Sequence, residues 1–137
     1  LKRFWVNDMG TTQKTGAMGE SFAAEYYESH GFSIVARNFH SRYGEIDVIA
    51  ENDFYIVFCE VKTRSVKAIE RPSGSVTKAK IRKLTLTAMK FLESFHGDKQ
   101  PRFDVFEIWQ QGGEVVKYEL IEGAFQGEDF SGSYDVF

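Results

Sequence analysis

Along residues 16–30 the apolar positions recur at helical spacing. Met18, Phe22 and Tyr26 form one i, i+4 row, and Gly19, Ala23 and Tyr27 form the next. This pattern predicts a helix ended by Gly31 as a C-terminal cap. The period then shortens. Residues 32–39 and 44–50 read as strands, and Asn52-Asp53 supplies turn chemistry after the second. Residues 54–63 read as a third strand whose first half is apolar at consecutive positions, the sign of a central strand covered on both faces. A polar connection over 65–75 contains Pro72 and Gly74. Helical spacing returns over 76–95, where Ile81, Leu84, Ala88, Phe91, Leu92 and Phe95 make a core stripe, with Gly97 as the expected stop. Residues 102–109 and 115–121 read as two more strands joined at Gln111-Gly112-Gly113. The order helix, three strands, helix, two strands predicts one layered α/β domain with a mixed central sheet flanked by helices. It spans residues 16–122. Residues 1–15 are expected to be a disordered or appended segment, and the Gly-rich, acidic residues 123–137 a loose tail.

A chain of 137 residues is long enough to bury a core without staples. Its one cysteine, Cys59, excludes an internal disulfide and fits a reducing cytoplasm, the expected location. No apolar run reaches the roughly 20 residues a membrane helix needs, and residues 1–15 lack the apolar block of a signal peptide. The net charge of −3 argues against a nucleic-acid binder, but its distribution reverses that impression. Residues 62–83 carry eight bases against the single acid Glu70, whereas residues 104–137 carry eight acids against the single base Lys117. Such asymmetry suggests an anionic partner on one face, or an ordinary solvated helix beside an acidic tail.

The chemistry gathers at the end of the third predicted strand. Strand alternation puts Glu60 and Lys62 on one face with Phe54, Ile56 and Phe58, residues of a core. Charges beside such residues are costly unless paired, metal-bound or at an open edge. If residues 44–50 and 54–63 form a hairpin, Asp47 stands opposite Glu60, with Cβ atoms about 5 Å apart. Two carboxylates that close repel unless a cation separates them. Mg2+, or Mn2+ in its place, prefers such oxygen ligands together with water and phosphate. It can also activate a bound water. Lys62 could orient that water or offset charge at phosphorus. The bland reading is a Glu60–Lys62 ion pair beside a solvated Asp47.

The remaining candidates are weaker. Glu45 is a neighbouring acid or a solvent-facing strand end. His30, His40 and His96 lack zinc-ligand spacing. Cys59 reads as a small buried hydrophobe, and Phe22, Tyr26 and Tyr27 as core rather than a base-stacking platform. Arg37 and Arg42 are either backbone contacts or plain surface. Lys78, Lys80, Arg82 and Lys83 surround the start of the second helix, where anions are favoured, and form a candidate phosphate track.

The segments Gly19-Glu20, Ala36-Arg37-Asn38, Gly44-Glu45-Ile46-Asp47-Val48-Ile49-Ala50, Val57 to Arg64, Val76 with Lys80, and Arg102-Phe103-Asp104-Val105 occur in this order. Together they strongly resemble the YraN family of small bacterial proteins, over about residues 16–122. That family is similar to archaeal Holliday junction resolvases within the PD-(D/E)xK nuclease superfamily. The resemblance implies a restriction-endonuclease-like fold in the order α-β-β-β-α-β-β and a Mg2+-dependent endonuclease acting on DNA, with branched or otherwise structured DNA as substrate. Asp47, Glu60 and Lys62 match the catalytic motif. Glu20, Asp47, Glu60 and the carbonyl of Val61 match its metal ligands. Lys80 matches a basic residue of the second helix. Arg64 stands just past the motif as a bidentate phosphate donor and, with Lys78, Lys80, Arg82 and Lys83, makes up the expected nucleic-acid contact set. Because a junction has two cleavage sites, the resemblance also implies a homodimer. The chain departs from the family at Ile69 to Pro72, which lacks the usual Phe-Gly before the proline. The alternative on the same fold is a non-catalytic nucleic-acid-binding module serving repair or recombination.

Overall fold

A computed structural model describes residues 11–66, 76–95 and 97–126 of the chain. Helix α1 spans Thr11–Ser29. Beyond it Gly31 adopts φ +86, which opens the way for two terminal hydrogen bonds. The Phe32 N–H donates to the Tyr27 carbonyl, and the Gly31 N–H to that of Glu28. The Phe32 ring then packs on Tyr27, centroids 5.3 Å apart. Gly31 is therefore the cap that its position predicts. The helix begins earlier than residue 16, because Thr11 to Thr15 carry no apolar period from which a start could be read.

The remaining elements are β1 (Ser33–Ser41), β2 (Gly44–Glu51), β3 (Tyr55–Ser65), α2 (Lys78–Leu92), β4 (Gln100–Gln111) and β5 (Glu114–Phe125). They build one mixed sheet in the order β1-β2-β3-β4-β5, antiparallel except for the parallel pair β3–β4. A parallel pair needs a long crossover, and α2 lies within it. Strand β3 is central, as its two apolar faces require. Val57 and Cys59 pack under Ala23 and Tyr27 of α1, while Ile56 and Phe58 pack against Leu84 and Ala88 of α2. The molecule is thus a helix–sheet–helix sandwich with the restriction-endonuclease-like order α-β-β-β-α-β-β. No helix among the described residues is long and apolar enough to cross a membrane.

Several boundaries differ from the sequence reading. Phe54 is no core residue. It is 73 % exposed in the β2–β3 turn, where the Asn52 side chain accepts hydrogen bonds from the Phe54 and Tyr55 N–H groups. Helix α2 is capped at its start by the Thr77 hydroxyl, which accepts from the Lys80 N–H at 3.1 Å. It ends at Leu92 with Glu93 as cap, so Gly97 stands outside it. At the β4–β5 hairpin Gly112 and Gly113 take φ +61 and +83, the two positive values of a type I′ turn. Strand β5 runs to Phe125, past the start expected for the tail. Residues 67–75, with Lys67, Arg71, Pro72 and Gly74, lie outside the described residues, as do 1–10 and 127–137.

One buried polar network ties α1, β4 and β5 together. Asp104, 1 % exposed, accepts from the Tyr27 hydroxyl at 2.7 Å, from Arg102 at 2.9 and 2.8 Å, and from the Gly123 N–H at 3.0 Å. Arg102 also pairs with Glu122 and lies over the Tyr55 ring. Asp104 and the buried Glu107 belong to the acidic C-terminal stretch of the sequence, so part of that charge lies in the interior.

Candidate functional site

The antiparallel ladder between β2 and β3 runs from Glu51↔Ile56 to Val48↔Cys59 and stops there. The next pair in register would be Asp47 with Glu60. In place of a backbone bond, the Asp47 carboxylate accepts the Val61 N–H at 2.8 Å. The packing changes at the same point. Ile46 belongs to the layer under α2, whereas Val48 and Ala50 lie under α1, so the regular alternation of β2 breaks at Asp47. The two strands part here, and the opening holds the charged residues that the apolar pattern left unexplained.

Glu60 sits in this fork with its side chain 12 % exposed. Its Oε1 receives the Lys80 ammonium of α2 at 2.7 Å. Its Oε2 is buried and has no hydrogen-bond partner. Burial drives Asp47 up to about 6. The Val61 N–H opposes this, and the carboxylates of Glu20, Glu60 and Glu45 add to it. Glu20, on α1, is also raised by burial, against a hydrogen bond from Asn38 and the charge of Arg37. Lys80 is held above the usual lysine range by its hydrogen bond to Glu60.

The structure brings Asp47, Glu60, Val61 and Lys80 together, with Glu20 near enough for its charge to act on Asp47. Among the described residues no three acid, histidine or cysteine side chains form a ready-made metal cage. Two carboxylates beside a backbone carbonyl suffice for Mg2+, which commonly keeps several waters. The unpartnered Oε2 of Glu60 is a donor of the right chemistry for it. Lys62 is half-buried one step along the same face, in register with the buried Glu107 of β4. Arg64 is half-buried, and its Nε is buried without a hydrogen-bond partner. Lys78, Arg82 and Lys83 are exposed on α2, and Lys83 lies beside Gly44. The sequence pattern predicts Lys80 as a phosphate contact. In the structure its ammonium is engaged by Glu60, because its place in the first turn of α2 sets that group over the end of β3, while the side chain stays 49 % exposed.

A match to the sequence profile of the Uncharacterised protein family UPF0102 covers residues 19–108. A UPF0102 protein of Dichelobacter nodosus is 41% identical over 105 residues, 76% of this chain and 83% of its own. One of Symbiobacterium thermophilum is 38% identical over 115 residues, 83% of this chain and 98% of its own. One of Syntrophomonas wolfei is 43% identical over 108 residues, 74% of this chain and 90% of its own. The chain belongs to the UPF0102 family. This is the YraN family that its motifs resemble.

Three further residues near the fork are not marked by the sequence pattern as components of a site. Asn38 holds φ +52, a left-handed conformation that asparagine tolerates, and its side chain hydrogen-bonds Glu20. Its place in Ala36-Arg37-Asn38 was the available signal. Thr63 meets Gly19 across the α1–β3 contact, where a Cβ on Gly19 would stand 1.9 Å from the Thr63 hydroxyl. Glycine there lets α1 approach closely enough to bring Glu20 to the fork. Glu107 carried no signal beyond an acid within an apolar strand. Glu45 pairs with His40 at 3.2 Å with its side chain 59% exposed, and its charge also acts on Asp47. Cys59 is fully buried, its thiol pushed up by desolvation.

Proposed function

We propose that this protein is a metal-dependent endonuclease that hydrolyses phosphodiester bonds of DNA, with branched or otherwise structured DNA as its substrate. The observation that carries the reading is the fork itself. Two adjacent strands part to set Asp47 beside Glu60, one carboxylate fixed by the Val61 N–H and the other keeping a buried oxygen without a partner. Burying two acids costs stability, and a structural role for the pair would leave that oxygen's isolation unexplained.

In this reading Asp47, Glu60 and the Val61 carbonyl hold Mg2+ or Mn2+, and Glu20 bears on the site from α1. Bound there, the ion would lower the pKa of a water and polarise a phosphoryl oxygen. Asp47 must give up its proton before it can serve, so divalent-ion affinity should fall below about pH 6. Lys62, on the Glu60 face, orients the attacking water or offsets negative charge at phosphorus. Arg64, Arg82 and Lys83 hold flanking phosphates, and Lys78 extends that track. A junction with two cleavage sites calls for a homodimer. A strictly monomeric species in light scattering would remove that part of the proposal.

The test is cleavage of a labelled four-way junction, its matched duplex and its single strand, each with Mg2+, Mn2+ or EDTA. Cutting should require metal and vanish in folded Asp47→Ala and Glu60→Ala variants. Normal cutting by both variants would refute the site. A second reading has one observation in its favour: the Lys80 ammonium already neutralises Glu60. A non-catalytic DNA-binding module would bind the junction equally well in EDTA and after loss of Asp47.

A further inference from the structure

Lys80 reaches the fork from a different layer of the sandwich. It starts from α2, and its ammonium lies 2.7 Å from Glu60 Oε1, a strong charge-assisted contact. The Glu60 side chain is 12 % exposed whereas that of Lys80 is 49 % exposed. The carboxylate is therefore fixed in the protein, and the cation sits at the mouth with room to leave. Asp47 and Glu45 also lie within electrostatic reach of the same ammonium. The site thus carries a positive charge of its own where a divalent ion would offset the same carboxylates.

We propose that Lys80 is the resident counter-ion of this site: it competes with the divalent ion for Glu60 and, once displaced, is delivered to the substrate phosphate. This rests on the metal-site reading given above. Two cations compete for one carboxylate. A divalent ion on Glu60 would weaken its bond to Lys80, and the ammonium, tethered in the first turn of α2, stays within reach of any phosphate the ion attracts. By linkage, whatever Lys80 contributes to holding Glu60 opposes metal binding by the same factor. The ion pair keeps the acids from repelling each other before metal arrives. It also makes metal binding and phosphate binding cooperative, since each removes one partner from the Lys80–Glu60 pair. Lys80 is a positioning residue for the metal step, distinct from exposed Lys83, which lies three residues along the same helix.

The experiment is a Mn2+ titration without DNA, followed by electron paramagnetic resonance of the free ion at pH 8 and low salt. Wild type is compared with Lys80→Met, Lys80→Arg, Lys83→Met and Asp47→Asn, each shown to be folded by circular dichroism. Lys80→Met should bind Mn2+ about five- to tenfold more tightly than wild type. Lys80→Arg, which restores a cation, should return towards wild type, and Lys83→Met should change affinity less than about twofold. Asp47→Asn should abolish the site. If Asp47→Asn abolishes binding but Lys80→Met binds no more tightly than wild type, the counter-ion proposal is overturned and the metal site stands. The counter-ion proposal is equally overturned if Lys83→Met tightens binding as much as Lys80→Met. If wild type and Lys80→Met both fail to bind, or binding survives Asp47→Asn, the metal site at this fork is wrong and the proposal falls with it.

Discussion

At the scale of single residues, Asp47 is placed where its charge is unwelcome. Its carboxyl is raised to about 6, against an ordinary value of 3.8, chiefly by burial. A raised carboxyl contributes stability that is fully present below about 3.8 and is lost as pH rises through about 6. Above that, the ionised group is a net penalty. Asp47→Asn should therefore melt above wild type at pH 8, by an equivalent of about 2–3 kcal/mol, while losing metal binding. The gap should close as pH falls towards 4. Thermal melts at the two pH values decide it, and an unchanged gap would show that the carboxylate is not strained. Gly19 makes the opposite kind of prediction. A methyl there must displace the Thr63 side chain, and overpacking of this sort costs roughly 1–3 kcal/mol. Gly19→Ala should lose stability in urea, and adding Thr63→Ala should restore part of it. Strict additivity of the two changes would show that they do not meet.

At the scale of elements, the β4–β5 side of the sheet is held by charge as well as by apolar packing. Asp104 joins Tyr27 of α1, Arg102 of its own strand and the Gly123 backbone of β5. Removing the acid leaves a largely buried guanidinium and a buried hydroxyl short of a partner. Asp104→Ala should cost about 3–5 kcal/mol, read as a fall in the urea midpoint at pH 7. A loss under about 1 kcal/mol would mean that Glu122 takes over the arginine. The elements themselves were mostly legible, because each carries a period or a punctuation mark. Gly31 closes α1, the Gly112-Gly113 pair sets the hairpin, and the continuous apolar run of β3 marks a central strand. The misread boundaries have a common cause. Thr11 to Thr15 carry no apolar period, and residues 93–95 are governed by hydrogen bonding at a helix end, neither of which hydrophobic spacing records.

At the scale of the whole molecule, the uneven charge of the chain resolves into two different things. Lys78, Arg82 and Lys83 remain on the surface of α2, whereas Asp104 and Glu107 are interior. The acidic half is thus less of a surface feature than its composition suggests, and the basic helix is more of one. If that helix tracks a nucleic-acid backbone, Arg82→Glu with Lys83→Glu should weaken junction binding across sequences. It should also flatten the salt dependence by roughly one unit of slope per lost phosphate contact. Fluorescence anisotropy at several salt concentrations measures both. An unchanged slope would move the track elsewhere.

The amino-acid sequence determined the order of elements, the central place of β3 and the pairing of Asp47 with Glu60 as a question that needed an answer. Those follow from period, turn chemistry and the cost of charge in an apolar strand, all of them local properties. Only the tertiary structure decided that β2 and β3 part at Asp47, that Lys80 pairs with Glu60, that Asn38 steadies Glu20, and that Asp104 belongs to the core. Each of these depends on which surfaces two distant elements present to one another. Such contacts are set by packing across layers, and no spacing along a single strand or helix encodes them.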